Sequence, residues 1–223
     1  IVIGVASDLA EAKLREVYEP MIASGVPIIV TDLPTAELVK SAANAFLATK
    51  ISFINAMAEI AEVSGADANQ LATAIGYDER IGNKFLRNGV GFGGGCLPKD
   101  IRALMARAEE LGVGQAVAYL KEIDNINLRR RVRVIDLLKK ELGDLSGKKV
   151  LVLGASGLIG NNILNVLLSK RNLTVLGLIR TASDKVLFPA IARDNLEILE
   201  DLTDFKKLTR LIENLRPDVI INC

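Results

Sequence analysis

The feature that most constrains the fold is a strand, a glycine turn and a helix that follow one another without a gap. The apolar run 150–153 leads directly into Gly154-Ala155-Ser156-Gly157-Leu158-Ile159-Gly160, and helical apolar spacing continues through Ile163, Leu164, Leu167 and Leu168. Glycines in this order permit a tight turn and close approach of a ligand, while amides at the helix start face an anion. The pattern predicts a dinucleotide phosphate site that comprises Gly154, Ser156, Gly157, Leu158, Ile159 and Gly160.

The remainder of this segment continues the alternation of strands and helices. Predicted strands cover 173–179, 196–199 and 218–222, with a helix ending at Leu215. The βαβαβαβ order resembles the extended short-chain dehydrogenase/reductase family, particularly its dTDP-4-dehydrorhamnose reductase-like sugar-nucleotide proteins. The resemblance implies that Asp201 and Leu202 lie near an adenine. Arg180, at the end of the second strand, suits the extra phosphate of NADP, or is simply a solvated strand end.

A glycine-rich bend presents a thiol at the start of another predicted helix. Cys96 lies in the segment 91–100, which reads GFGGGCLPKD, and Pro98 suits a first helical turn. The positive end of the helix dipole and Lys99 close to the sulfur favour a nucleophile. The alternative is a buried structural cysteine beside an ordinary turn.

Residues 34–64 are predicted to form one long helix, because Leu47, Ile51, Ile54 and Ala58 follow a helical stripe. The stripe extends back to Asn44 and Lys40. A buried ammonium needs a partner, which a ligand could supply. Alternatively, the helix end is exposed and Lys40 reaches water.

Two long motifs resemble the UDP-glucose dehydrogenase family (UDP-glucose/GDP-mannose dehydrogenases). They read TAELVKSAANAFLATKISFIN over 35–55 and AIGYDERIGNKFLRNGVGFGGGCLPKD over 74–100, and the resemblance extends over residues 1–142. It implies an NAD-dependent oxidation in which Cys96 forms a thioester, Lys40 stabilises an oxyanion, Asn44 holds an oxygen and Asp100 helps to activate water. Gly95 and Leu97 depart from the residues usual in this family.

The same resemblance implies the remaining site residues and partners. UDP-glucose or a related nucleotide sugar is the expected substrate, Lys99 is expected to bind the cofactor, and a homodimer or higher homo-oligomer is expected. The residues that the resemblance assigns to the nucleotide sugar are Arg80, Phe85, Leu86, Arg87, Gly91, Phe92 and Gly93.

The predicted fold class is α/β with three segments. Residues 1–33 are interpreted as the end of an amino-terminal Rossmann domain, 34–142 as an all-α central domain with long helices, and 148–223 as a truncated Rossmann-like parallel βαβ domain. Such a chain is expected to have little activity alone, and could be a natural fusion, a gene fragment or an artificial sequence. A second hypothesis is a non-catalytic fragment of short-chain dehydrogenase/reductase type that binds NADP or a nucleotide sugar.

Composition excludes several classes of function. The chain of 223 residues has a net charge of +1 and no histidine, which argues against nucleic-acid binding and removes the commonest metal ligand. Two cysteines do not make a disulfide framework. No apolar run is long enough to cross a bilayer, so a cytoplasmic protein without bound metal or membrane contact is expected.

Overall fold

The chain divides into two units, one formed by residues 1–50 and 95–121 and the other by 51–94 and 122–223. The computed structural model describes every residue except Gly94, Arg171 and Pro189, and it describes Leu158 and Ile191 without their side chains. In chain order the elements are β1 (Val2–Gly4), α1 (Asp8–Ala23), β2 (Ile29–Thr31), α2 (Leu33–Ser64), α3 (Ala68–Gly76), α4 (Leu97–Glu110), α5 (Tyr119–Leu142), β3 (Lys149–Leu153), α6 (Leu158–Leu168), β4 (Thr174–Ile179), β5 (Leu196–Ile198), α7 (Phe205–Leu215) and β6 (Val219–Asn222).

The first unit contains a small parallel β-α-β arrangement and parts of the long helices. Strands β1 and β2 pair in parallel, and α1 connects them. Ser7 caps α1 by accepting the Ala10 N–H, as expected of an N-cap serine. Helix α4 is followed by a 3₁₀ turn at Gly114–Val117.

The second unit contains a four-stranded parallel sheet in the order β5-β4-β3-β6. Strand β3, the first of this sheet in the chain, lies in the middle, and the order reverses between β3 and β6. Ligands of open parallel sheets bind beyond the carboxyl ends of the strands at such a reversal. Gly154 follows β3 and Cys223 follows β6, so these two residues mark the predicted ligand edge.

The central strand buries both of its faces. Val150 and Val152 lie in a core cluster with α5 and α6 residues such as Ile135 and Leu164, whereas Leu151 lies in a cluster that packs against α7. A parallel strand covered on both sides reads as a continuous apolar run. This is why the pattern at 150–153 predicted the sheet correctly.

Helix α2 differs in detail from the sequence-based expectation. The most deeply buried face of α2 carries Ala45, Ala48, Ser52 and Asn55 in addition to Ile54 and Ala58, while Leu47 and Ile51 are only partly buried. Helix α5 begins at Tyr119, because the preceding residues form the 3₁₀ turn. Apolar spacing cannot reveal a helix face built from alanine, serine and asparagine.

Gly160 permits a close approach between α6 and the preceding turn. A Cβ atom at this position would collide with the Gly154 carbonyl oxygen and lie 3.0 Å from the Ala155 Cα. The absence of a side chain therefore lets the helix start directly above the carboxyl end of β3. This is the packing role expected of the last glycine in such a turn.

Replacing Gly160 by alanine should lower the free energy of unfolding by about 1–3 kcal/mol, because backbone atoms must move to accept the methyl group. Urea unfolding followed by circular dichroism measures the change. Gly89→Ala is the matched control in the same unit, since no atom lies within 4 Å of the place that a Cβ atom would take there. Equal stability of the two variants would contradict the packing role of Gly160.

Candidate active site and ligand cleft

Asp100 is the centre of a polar cluster in the first unit. Its side chain is 8% exposed, and its Oδ2 accepts hydrogen bonds from Lys40 Nζ at 2.7 Å and from Asn44 Nδ2 at 2.6 Å. Lys99 Nζ lies 3.7 Å from Oδ1. One buried carboxylate thus gathers three of the residues that the sequence analysis singled out.

Two helices position this cluster. Lys40 and Asn44 are four residues apart on α2 and therefore lie on one face. Asp100 lies in the first turn of α4, where its N–H donates to the Cys96 carbonyl at 2.8 Å. Ile101 and Ala108 are buried on α4 and anchor the helix, whereas Leu111 is exposed at its carboxyl end.

The cluster shifts two pKa values in opposite directions. Hydrogen bonds from Lys40 and Asn44 hold the pKa of Asp100 below its ordinary value of 3.8. The hydrogen bond and charge of Asp100 raise the pKa of Lys40, with a smaller contribution from Cys96. Both groups are therefore charged at neutral pH.

Lys40 reaches water and also has a protein partner. Its side chain is 65% exposed, so the interpretation in which the helix end is solvated is correct, while Asp100 supplies the partner that an inward-facing ammonium needs. Cys96 is exposed at the N-cap position of α4. The interpretation of Cys96 as a buried structural cysteine is therefore wrong.

A cleft of about 1200 Å³ lies within the second unit. One wall is the stretch that the sequence analysis assigned to the nucleotide sugar, since Phe85, Leu86, Arg87, Gly91, Phe92 and Gly93 all line it. Another part of the lining is the glycine turn, represented by Gly154, Gly157, Ile159 and Gly160. Two sets of residues predicted from separate motifs therefore share one cavity.

The lining of the cleft is suited to an anion. Lys84 and Arg87 contribute positive charge, and the lining residues that the structure describes include neither aspartate nor glutamate. Tyr77, Phe85 and Phe92 add aromatic surface. Phe85 has a φ of 64°, an uncommon conformation for a bulky residue, which is often found at functional sites.

A smaller cavity of about 170 Å³ lies beyond the carboxyl ends of the same sheet. Arg180 and Leu202 line it, together with Ser156 and with Gly154, Gly157 and Cys223, which also line the large cleft. Residues predicted to contact an adenine and a phosphate thus lie around one small cavity. The glycine turn is shared by both cavities.

Some predicted residues lie elsewhere or outside the described part of the structure. Arg80 is 89% exposed, forms an ion pair with Asp78 at 2.6 Å and does not appear among the described lining residues of the cleft. Asp201 accepts hydrogen bonds from Thr203, which lower its pKa. The side chain of Leu158 is not among those that the structure describes.

Sequence reasoning missed residues that support or line the cleft. Asn55, Asn127, Arg130 and Arg131 bind the backbone at 89–92. Helix α3 contributes Asn69, Ala72, Thr73 and Gly76 to the lining. Asp67, which caps α3 by accepting the Asn69 and Gln70 N–H groups, was an available sequence signal for that helix. The buried asparagines gave no such signal.

Two further observations concern metal binding and membrane insertion. In the described part of the chain, histidine, cysteine, aspartate and glutamate residues do not cluster in threes or more where a metal could be held. Among the described residues, none of the helices has the length and apolar character needed to cross a membrane.

Comparison with known proteins relates the two halves to different family models. Residues 34–129 match the UDP-glucose/GDP-mannose dehydrogenase family, central domain, and residues 150–223 match the NAD dependent epimerase/dehydratase family. The two resemblances predicted from the sequence are therefore confirmed at the level of family.

Individual relatives extend the likeness beyond these segments. UDP-glucose 6-dehydrogenase TuaD of Bacillus subtilis is 44% identical over 69% of this chain and 32% of its own length. UDP-glucose 6-dehydrogenase AglM of Haloferax volcanii is 36% identical over 88% of this chain and 45% of its own length. The chain therefore spans a third to a half of the curated relatives it matches.

A solved structure of a UDP-glucose dehydrogenase from Pyrobaculum islandicum aligns with a TM-score of 0.82 and 32% identity. The alignment covers 100% of this chain and 50% of that chain. It includes residues 150–223, which the sequence analysis related to a different dehydrogenase family.

Changing Asp100 to asparagine should make the free energy of unfolding vary less with pH between neutral and acidic conditions. Because the folded-state pKa lies below 3.8, the ionised carboxylate contributes to the free energy of unfolding above that pH and loses this contribution as pH falls through the folded-state pKa. The difference between wild type and Asp100→Asn should therefore be largest near neutral pH and shrink in acid.

Urea unfolding at a series of pH values from neutral to strongly acidic measures this difference. Glu110→Gln is the control, since it removes a carboxylate from an exposed ion pair on the same helix. A wild-type to Asp100→Asn difference that stays constant across the series would contradict the role of the charged cluster.

Proposed function

We propose that this chain, whose residues 34–129 match the central domain of the UDP-glucose/GDP-mannose dehydrogenase family, is part of an NAD-dependent UDP-sugar 6-dehydrogenase. The observation that carries the proposal is the Asp100 cluster, in which a buried carboxylate in the first turn of α4, the helix that follows Cys96, binds Lys40 and Asn44. The domain boundaries predicted from the sequence, at 33, 142 and 148, belong to this proposal.

Cys96 is proposed as the nucleophile. Its thiolate would add to a sugar 6-aldehyde, and loss of hydride from the adduct would leave a thioester, which water cleaves to a carboxylate and the free thiol. NAD would accept the hydride in this step and also in the preceding oxidation of the sugar 6-hydroxyl to the aldehyde. An exposed sulfur at the start of α4 is accessible to such an electrophile.

The Asp100 cluster would support the charges that develop in these steps. Lys40, held protonated by Asp100, can donate a hydrogen bond to the oxyanion of each tetrahedral adduct. Asn44 can bind a substrate or water oxygen through its remaining hydrogen-bonding capacity. Because the pKa of Asp100 is lowered, its carboxylate is better suited to orienting water than to removing a proton with high efficiency.

The nucleotide sugar is proposed to occupy the large cleft. Its diphosphate would lie at the start of α6, where helix amides and the glycine turn favour an anion, with Lys84 and Arg87 adding positive charge. Its hexose would lie along Phe85–Gly93.

An alternative occupant of the glycine turn is NAD or NADP. Gly160 packs α6 closely against the Gly154 carbonyl, as the last glycine of a dinucleotide-binding turn does, and the match to an NAD dependent family also supports this occupant. Arg180 beside the small cavity would then contact the ribose or its phosphate. The homo-oligomer and the cytoplasmic location expected from the sequence remain predictions.

The two cysteines allow a test that separates these occupants. UDP-glucose should slow alkylation of both Cys96 and Cys223 by iodoacetamide, by about tenfold at saturating ligand, because it would cover the thiol and the ligand edge of the sheet. NAD or NADP in the glycine turn should protect Cys223 alone. Mass spectrometry of the two cysteine peptides measures both rates in one sample.

A double substitution Lys84→Gln with Arg87→Gln should weaken this protection, whereas Lys13→Gln, in an exposed ion pair on α1, serves as the control. An alkylation rate at Cys96 that is the same with and without UDP-glucose would contradict the proposed site.

A further inference from the structure

The stretch 89–92, whose residues Gly91 and Phe92 line the cleft, belongs to neither a helix nor a strand. Its peptide groups therefore have no regular hydrogen-bonding ladder. Backbone N–H and C=O groups that leave water need partners, and an irregular segment must find them among side chains. The shape of this wall thus depends on whichever side chains supply those bonds.

Four polar side chains from the long helices bind this stretch. The Gly89 N–H donates to Asn55 Oδ1 at 2.8 Å, and Arg130 Nε donates to the Gly89 carbonyl at 2.9 Å. The Phe92 N–H donates to Asn127 Oδ1 at 2.6 Å, and Arg131 Nη2 donates to the Phe92 carbonyl at 3.0 Å. Gly89 and Phe92 are thus each held at both backbone polar groups.

Asn127 is specialised for holding Phe92. Its side chain is 1% exposed, and among the described residues its Nδ2 atom has no hydrogen-bond partner. Gly91 has a φ of 97°, and a Cβ atom there would collide with Asn127 Oδ1. The acceptor oxygen therefore lies directly against the bend, where it can fix the Phe92 peptide.

Arg131 connects this wall to the opposite side of the cleft. Besides the Phe92 carbonyl, it donates from Nη1 to Asn162 Oδ1 at 3.1 Å. Asn162 lies on α6, two residues after Gly160, which lines the other side. The planar guanidinium holds both acceptors at a fixed separation, which a lysine ammonium could not do as well.

We propose that Asn127 and Arg131 are positioning residues for nucleotide-sugar binding: Asn127 fixes the Phe92 peptide, and Arg131 joins that peptide to α6. The wall at 89–92 and the glycine turn then keep the separation that a ligand spanning both requires. This inference rests on the proposed function, since the ligand is the nucleotide sugar proposed there. Neither residue contacts the ligand directly in this scheme.

The test compares Asn127→Leu and Arg131→Met with matched substitutions on the same helix. Asn125→Leu removes an exposed asparagine that binds Glu122, and Arg133→Met removes an arginine that pairs with Glu62. Calorimetry measures the affinity of each protein for UDP-glucose and for uridine 5′-monophosphate, whose single phosphate reaches only the glycine turn. Hydrogen exchange of the Phe92 amide is measured without ligand.

Loss of positioning should reduce UDP-glucose affinity about tenfold or more while changing affinity for the monophosphate less than about threefold, because only the larger ligand uses both walls. The controls should stay within about twofold for both ligands. An equal fall in both affinities would indicate general loss of structure and would overturn the proposal, as would unchanged affinities.

Hydrogen exchange of the Phe92 amide tests the hydrogen bond between Phe92 and Asn127 without any ligand. Asn127→Leu should accelerate it by about tenfold or more, and Asn127→Asp, which retains an acceptor oxygen, should restore protection. Unchanged exchange in Asn127→Leu would overturn the contact. If wild-type protein binds no UDP-glucose, the proposed function fails, while accelerated exchange still supports Asn127 as the residue that fixes this wall.

Arg131 has a second, internal test. Asn162→Leu should reduce UDP-glucose affinity in the same way as Arg131→Met, and the double variant should be no weaker than the worse single variant, because both changes remove one link. Additive losses would overturn the role of Arg131 as the link between Phe92 and α6.

Discussion

Polar groups that leave water must be paired, and this requirement determines the form of both functional segments. In the first unit, Lys40 and Asn44 of α2 pair with the buried carboxylate of Asp100. In the second, side chains of α2 and α5 pair with the peptide groups at 89–92. An unpaired buried polar group costs more than a typical hydrogen bond contributes, so Asp100 depends on α2 for its partners and the irregular stretch 89–92 depends on the long helices for its conformation.

The parts of the fold that apolar patterning specifies could be predicted from the sequence. Strand β3 and the glycine turn were found because a doubly covered strand is continuously apolar and the glycines stand at fixed offsets. The residues of Phe85–Gly93 came from a resemblance, and the cleft contains them. What the sequence could not reveal was that this stretch and the glycine turn line one cavity, because that depends on how helices pack.

Buried asparagines were the other failure of prediction. Asn55 and Asn127 look like solvated helix residues, since amides are usually exposed and neither interrupts the helical pattern. Their partners, Gly89 and Phe92, are more than 30 residues away in the chain. A side chain that is buried because it forms a hydrogen bond with a backbone group far away in the chain produces no pattern in the neighbouring sequence. The polar environment of Lys40 was easier to predict, because Asn44 on the same helix face already suggested a polar cluster.

The two glycines of the stretch 89–92 differ in how readily they can be replaced by another residue during evolution. Gly91 combines a positive φ with an oxygen packed where a Cβ atom would stand, so drift away from glycine there is blocked both by backbone conformation and by space. Gly89 has open space around it. Sequence divergence in this wall should therefore accumulate at 89, while 91 changes only together with a neighbour on α5.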